Sequence, residues 1–323
     1  MSVSKSPRVV LIMAAALAAS GNVSAQKYPE KNVRVLVGYT PGSSADFTAR
    51  IFTTRLSELL GHQFVIDNRS GASGNMAAEA VARAVPDGYT LLTNTVSYGI
   101  QQNLRKDLRF DIVKDFEHIS IFASTPYVIA VHPAVPAKNL QELIALAKKS
   151  PGALTYGSGG PGSGIHLASE LLKLHAQIDM LHVPYKGSSL AATDLLAGRL
   201  TMLLASQLLQ HTRAGKLRGI AITSLNRVSV APELPTVAES GLPGFEAGSW
   251  SGLSAPKGTR RDVVMRLNAA VTQIAGMPDT PKLIQAQSAA EVRPGTAKEA
   301  AAYVDNEVAK WKKVITAAKI VAE

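Results

Sequence analysis

The sequence has no cysteine. That removes disulfides, thiol nucleophiles and thiolate metal sites, and leaves the fold to be held by apolar burial. Aromatics amount to only 5%, and no block of five or more basic residues interleaves with them. The nucleic-acid footprint is therefore missing despite a net charge of +10, which reads as scattered surface charge. No G-x-S-x-G occurs, so there is no nucleophile-elbow signature. His166, His175 and His182 share no recognised ligand spacing with carboxylates, so neither a metal nor a cofactor is expected. What is present, 46% hydrophobic and 18% charged residues, describes an ordinary globular chain without a disorder signature.

The N-terminus carries a different pattern. Lys5 and Arg8 precede the apolar run VVLIMAAALAA, and Val23-Ser24-Ala25 supplies small residues at the −3 and −1 positions of a cleavage site. The run falls short of the ~20 residues a spanning helix needs. Residues 1–25 are therefore expected to be a cleaved export signal, placing the protein in the periplasm. No cysteine opens the mature chain, so no lipid anchor is expected. The remaining ~298 residues are long for one core and predict two domains.

Short apolar runs alternate with amphipathic stretches, the pattern of α/β architecture with a mostly parallel sheet in each domain. NVRVLVGY reads as a strand, TPGSSAD as a turn, and FTARIFTTRLSELLG as a helix. FVIDNR and YTLLTNT are strands around the helix NMAAEAVARAVPDG. ISIFASTPYVIAVHP is a long strand or a strand pair. NLQELIALAKKSPG is a helix capped by Asn139. The grammar then repeats: strand ALTYGSG, helix HLASELLKLHA, strand MLHVPY, loop KGSS, helix LAATDLLAGR, and strands TMLLAS and LRGIAIT. Val230 to Thr259, rich in Pro and Gly, reads as an interdomain passage, and the tail as helical.

GSGGPG, from Gly157, fits G-x-G-x-x-G in a strand–loop–helix context. Yet no acidic residue ends the following strand to hold a ribose: Asp179 precedes MLHVPY, and Lys186 follows it. Pro161 also removes an amide from the loop, so a dinucleotide is set aside. Ser163 lies three residues before His166, but such adjacency does not define a triad. His166 and Glu170, at i and i+4, are expected to form a surface pair. What remains is a non-catalytic anion site. Two loops, TPGSSAD and GSGGPGSG, offer backbone amides and hydroxyls at helix N-termini. Asp46 is expected to cap a helix beginning at Phe47 rather than to touch a ligand.

These residues resemble the Bug-type extracytoplasmic solute receptors of tripartite tricarboxylate transporters. The likeness runs through YPEKNVRVLV, PGSSADFTAR, NRSGASGN, PDGYTLL, LTYGSGGPGSGIHLASELL, VPYKGS and W-SGLSAPKGT, covering essentially all of the mature chain. It implies a two-domain, type II-like flytrap that binds a small carboxylate and hands it to the membrane components of a transporter, with no reaction catalysed. It implies domains of 26–124 plus 249–323 and of 125–248, with crossings near Ser124 and Ser249, and a monomer. Ligand contacts are then expected from Tyr39, Thr40, Gly42, Ser43, Ser44, Asp46 and Ser97 on one side. Ser158, Gly159, Gly160, Gly162, Ser163 and His166 would face them, with Tyr185 and Lys186 at the mouth. Trp250 and Tyr98 are candidate pocket walls. The family's first loop commonly carries Gly-Gly, and here Ser43 and Ala45 depart from it, which leaves the acid unnamed. Two alternatives stay open: a secreted hydrolase using Ser163 and His166, and a component presenting its ligand to a membrane kinase.

Overall fold

Val33–Val37 (β1) is buried at four of its five positions, on both faces. A strand of that kind requires cover above and below. The computed structural model, which describes residues 28–71, 74–285 and 289–321, gives β1 parallel neighbours on both sides: β2 (Phe64–Asn68) and β3 (Thr90–Thr95). The connections are α1 (Ser44–Leu60) and α2 (Asn75–Ala82). The stretch expected to be an export signal, residues 1–25, lies outside the described residues.

β3 runs directly into α3 (Val96–Leu104), a helix that periodicity did not announce. Its interior Gly99 allows a close approach: a Cβ there would sit 3.2 Å from Val308. β4 (Phe116–Pro126) is followed after one residue by β5 (Val128–Val131), and the two belong to different sheets. The apolar stretch is thus a strand pair split at Tyr127. The second sheet continues through α4 (Leu140–Lys149), which Asn139 caps as expected, then β6 (Thr155–Ser158) and α5 (Gly164–Ala176). It is completed by β7 (Leu181–Pro184), α6 (Ser188–Leu196), β8 (Met202–Ala205), α7 (Leu208–Arg213) and β9 (Arg218–Ile222). The chain returns to the first sheet as β10 (Gly248–Pro256), then α8 (Arg261–Ala275), α9 (Thr280–Gln285), β11 (Glu291–Val292) and α10 (Ala297–Ala317). Among the described residues no helix is long and apolar enough to cross a membrane.

The sheet orders are β11-β4-β10-β3-β1-β2 and β7-β6-β8-β5-β9. The α/β expectation holds, but each sheet is mixed rather than mostly parallel. β10 is antiparallel to β3 and β4, and β5 to β8 and β9. These are the strands that carry the chain between sheets, and antiparallel pairing spares them a crossover helix. Within Val230–Thr259, read as an interdomain passage, the chain does return from the second sheet to the first, and β10 is a strand that the reading did not anticipate. GSWSGLSAP has weak strand propensity, and burial between two neighbours decides instead. Gly252 is required there, since a Cβ would lie 2.5 Å from the Ser120 carbonyl.

The two lobes share an apolar cluster that includes Val96, Tyr127, Leu167, Phe245, Trp250 and Trp311. At its centre the buried Glu307 carboxylate accepts both indole N–H groups on a single oxygen, from Trp250 at 3.2 Å and Trp311 at 3.0 Å. Lys310 pairs with its other oxygen. This joins the returning strand to the C-terminal helix where the chain passes between sheets.

Candidate functional site

The two glycine-bearing loops are the same device built twice. Thr40-Pro41-Gly42-Ser43 and Gly160-Pro161-Gly162-Ser163 each close with the fourth amide donating to the first carbonyl, at 3.2 Å in both. Gly42 has φ +81° and Gly162 +71°. Proline second and a positive-φ glycine third define a type II turn. Each turn delivers a serine as helix N-cap: Ser43 accepts from the Asp46 amide and Ser163 from the His166 amide, both at 3.3 Å. The side chain three residues on then bends back to the glycine. Gly42 N–H donates to Asp46 Oδ2 at 2.9 Å, and Gly162 N–H to His166 Nδ1 at 3.1 Å. The amides of Ser44 and Ala45, and of Gly164 and Ile165, have no intrahelical partner and sit at positive helix ends.

This arrangement corrects the role given to Asp46. The helix begins at Ser44, Ser43 is its cap, and Asp46 is an internal lock, 1% exposed. Its carboxylate also accepts from Asn68 Nδ2 at 2.8 Å and Arg50 Nε at 2.8 Å. Burial alone would raise its pKa, but Arg50, Asn68 and the Gly42 amide outweigh that and hold it below the usual carboxylate value. Asn68, which the sequence reading passed over, also donates to the Tyr39 carbonyl at 3.0 Å. It stands in the NRSG segment, so the motif had signalled the position without revealing its task.

The two turns meet through α3. The Tyr39 hydroxyl lies 3.1 Å from Thr95 Oγ1 and also bonds Ser97, while burial pushes its pKa upward and keeps it a neutral phenol. Thr95 therefore provides no side-chain cap to α3. A Cβ on Gly164 would fall 2.9 Å from the Tyr127 hydroxyl and 3.8 Å from Val96. The start of α5 in the second lobe thus abuts the start of α3 in the first, with Tyr127 between them. On the other flank a Cβ on Gly159 would lie 3.6 Å from the Ser188 amide, which opens α6. Helix beginnings from both lobes are brought together here, with hydroxyls and amides as the available chemistry.

The remaining positions divide. Thr40, Ser44 and Lys186 are exposed; Ser97, Gly159 and Gly160 are half-buried beside the turns. Ser158 is fully buried, with its hydroxyl 2.6 Å from His182 Nε2. The Tyr185 hydroxyl is committed to Asp194 at 2.7 Å; burial and that bond push its pKa up to about 12. Trp250 and Tyr98 are not pocket walls: they are 3% and 0% exposed, Trp250 set against Tyr303 and Tyr98 against Phe110. Glu170 and His166 are buried rather than a surface pair, because α5 is covered on both sides. Ser163 caps a helix while His166 Nδ1 holds Gly162, so the two are not joined to each other as a nucleophile and its base. Among the described residues no His, Asp and Glu cluster suits a metal. Cavities of about 440 and 590 Å³ lie elsewhere on the first lobe, lined by Tyr28, Tyr89 and Arg260 and by Phe116, Lys257 and Met265, and do not reach the turns.

Comparison with known proteins identifies the family and the fold. The family model described as "Tripartite tricarboxylate transporter family receptor" matches residues 48–320. Protein BugT of Bordetella pertussis is 32% identical over 318 residues, 97% of each chain. Among solved structures, R. palustris Rpa4515 with adipate is 35% identical, with a TM-score of 0.77 over 91% of this chain and 99% of that one. MatC from Rhodopseudomonas palustris with bound malate is 30% identical, with a TM-score of 0.72 over 89% and 100%.

Proposed function

Because the chain belongs to the tripartite tricarboxylate transporter receptor family, we propose that it is an exported receptor. It captures a small dicarboxylate between its lobes and delivers it to membrane transport components. The reading takes the hinge as the crossings near Ser124 and Ser249, between domains of 26–124 plus 249–323 and of 125–248. The observation that carries it is the duplicated Pro-Gly-Ser turn at a helix start, one per lobe, each locked from behind by a side chain three residues on. Such a pair offers preorganised amide donors to a carboxylate and no nucleophile or base to transform it. Two solved relatives hold diacids, adipate and malate, which favours a ligand with a carboxylate for each lobe. Ser43, Ser44, Ser97, Gly160, Ser163 and the surrounding amides are the contacts this reading assigns.

Thermal denaturation against a panel of four- to six-carbon diacids, with their diamides as controls, tests it. Binding stabilises the folded state by about 2.7 kcal/mol at a hundred times the dissociation constant. A melting temperature raised by a diacid and not by its diamide is the expected result. Turnover of an ester or amide, abolished by changing Ser163, would support the hydrolase instead. Gly162→Val should weaken the acid's binding at least ~tenfold, since a β-branched residue at φ +71° is strained. Its Cβ would also meet Leu104 at 2.7 Å. Unchanged affinity in a folded variant would remove this turn from the site.

A further inference from the structure

Behind the second turn lies a stack of three rings that anion binding does not use. Tyr156, His182 and His166 follow one another, with His166 and His182 at a centroid distance of 4.0 Å and only 8° from parallel. The two imidazoles hold the turn at both ends. His166 Nδ1 accepts the Gly162 amide at 3.1 Å, so that nitrogen carries no proton. His182 Nε2 contacts Ser158 Oγ at 2.6 Å, and that oxygen accepts the Gly160 amide at 3.0 Å.

We infer that the stacked pair His166–His182 positions the second Pro-Gly-Ser turn for ligand capture, and lets the turn go when the pair takes up a proton. The inference rests on the receptor reading only for its consequence on binding; the structural step stands on the turn itself. A proton on His166 Nδ1 would face it with the Gly162 N–H, two donors where one bond had been. An imidazolium would also lie face to face with a second ring in a buried position, where charge is costly. Of the groups that act on the pair, Glu170 favours a proton on both rings and Lys173 opposes it, and burial is the larger influence. Glu170 on the same helix already accepts from Tyr156 and from Lys173 Nζ, the latter at 2.9 Å. Lys173 also reaches Asp179 at 3.6 Å, and the residue of α3 nearest Gly162 is the apolar Leu104.

Burial, then the neighbouring His182, pushes His166 from 6.5 down to about 4, and burial lowers His182 as well. Both rings are neutral at pH 7. Between 6.5 and about 4 the proton is taken by the released turn and not by the held one, so the held state is complete above 6.5 and lost as pH falls toward 4.

The test is an NMR titration of the ligand-free protein from pH 7.5 to 4, following the His166 and His182 ring protons and exchange of the Gly162 amide. Two coupled steps below 6.5 are expected, with Gly162 protection lost in the first. His182→Gln keeps the bond to Ser158 and removes one charge, leaving a single His166 step at higher pH. Rings that titrate independently near 6.5, or a Gly162 amide still protected after they titrate, overturn the proposal. Adipate serves as the binding probe: its affinity should fall about tenfold per pH unit below the first step. Adipate's own carboxyls titrate in this range, so wild type is compared with His182→Gln, whose loss should begin at higher pH. Losses beginning at the same pH in both proteins also overturn the proposal. Absence of adipate binding at any pH counts against that acid in the receptor reading, and the ring and amide titration still decides the role of the pair.

Discussion

Asp46→Ala should abolish measurable diacid binding and cost about 3 kcal/mol of stability. The carboxylate takes the Gly42 amide, Asn68 Nδ2 and Arg50 Nε in a site that is 1% exposed. A bond to an ionised acceptor contributes about 1.5–3 kcal/mol, and a buried donor left without one costs about 1–3 kcal/mol. Arg50 is half-exposed and turns to water, so its share is small. The Gly42 amide and the half-buried Asn68 are engaged by the carboxylate from opposite sides, and Asn68 also holds the Tyr39 carbonyl, so the main loss is the order of the turn. Asp46→Asn should be nearly as damaging, because an amide nitrogen would face donors on one side. Calorimetric titration with the acid found in the panel, alongside chemical denaturation, separates the two effects. A folded Asp46→Ala protein that binds normally would show that the first turn orders itself without its lock, and would remove it from the explanation of affinity.

The second large effect belongs to Glu307. Glu307→Ala should destabilise the protein by about 3–5 kcal/mol, because it strands two buried indole N–H groups at about 1–3 kcal/mol each and opens a cavity beside them. Both indoles converge on one oxygen. Glu307→Gln, whose amide oxygen can take both, should therefore lose only about 1 kcal/mol. The contrast is the diagnostic. Equal losses in the two variants would mean that the ion pair with Lys310, and not the indole pair, carries the contribution. Trp250 lies on the returning strand and Trp311 on the C-terminal helix, so the loss falls on packing within the first lobe, and chemical denaturation of the two variants measures it.

The local grammar was legible without any structure. Small-residue turns opening helices after Thr40 and after Gly160 could be read from proline, glycine and serine, but the cap of the first, expected at Asp46, belongs to Ser43. Asn139 could be read as a cap because side-chain capping acts over four residues. Elements that depend on what packs against them were not legible. α3 owes its place to Val308 crossing Gly99, and β10 to neighbours on both sides. The sheets are mixed because the strands that change lobes return antiparallel, which periodicity does not encode.

The site divides along the same line. Sequence alone determined that two small-residue loops open helices and that the chain carries no thiol and no nucleophile-elbow motif. Only the tertiary structure decided that Asp46 faces inward, that Asn68 joins it from 22 residues away, and that Trp250 and Tyr98 are core. It also decided that His182, on β7, lies flat against His166 on α5. Those outcomes turn on burial and on partners brought together by the sheets, and a side chain's chemistry fixes what it can bond but not what it will meet.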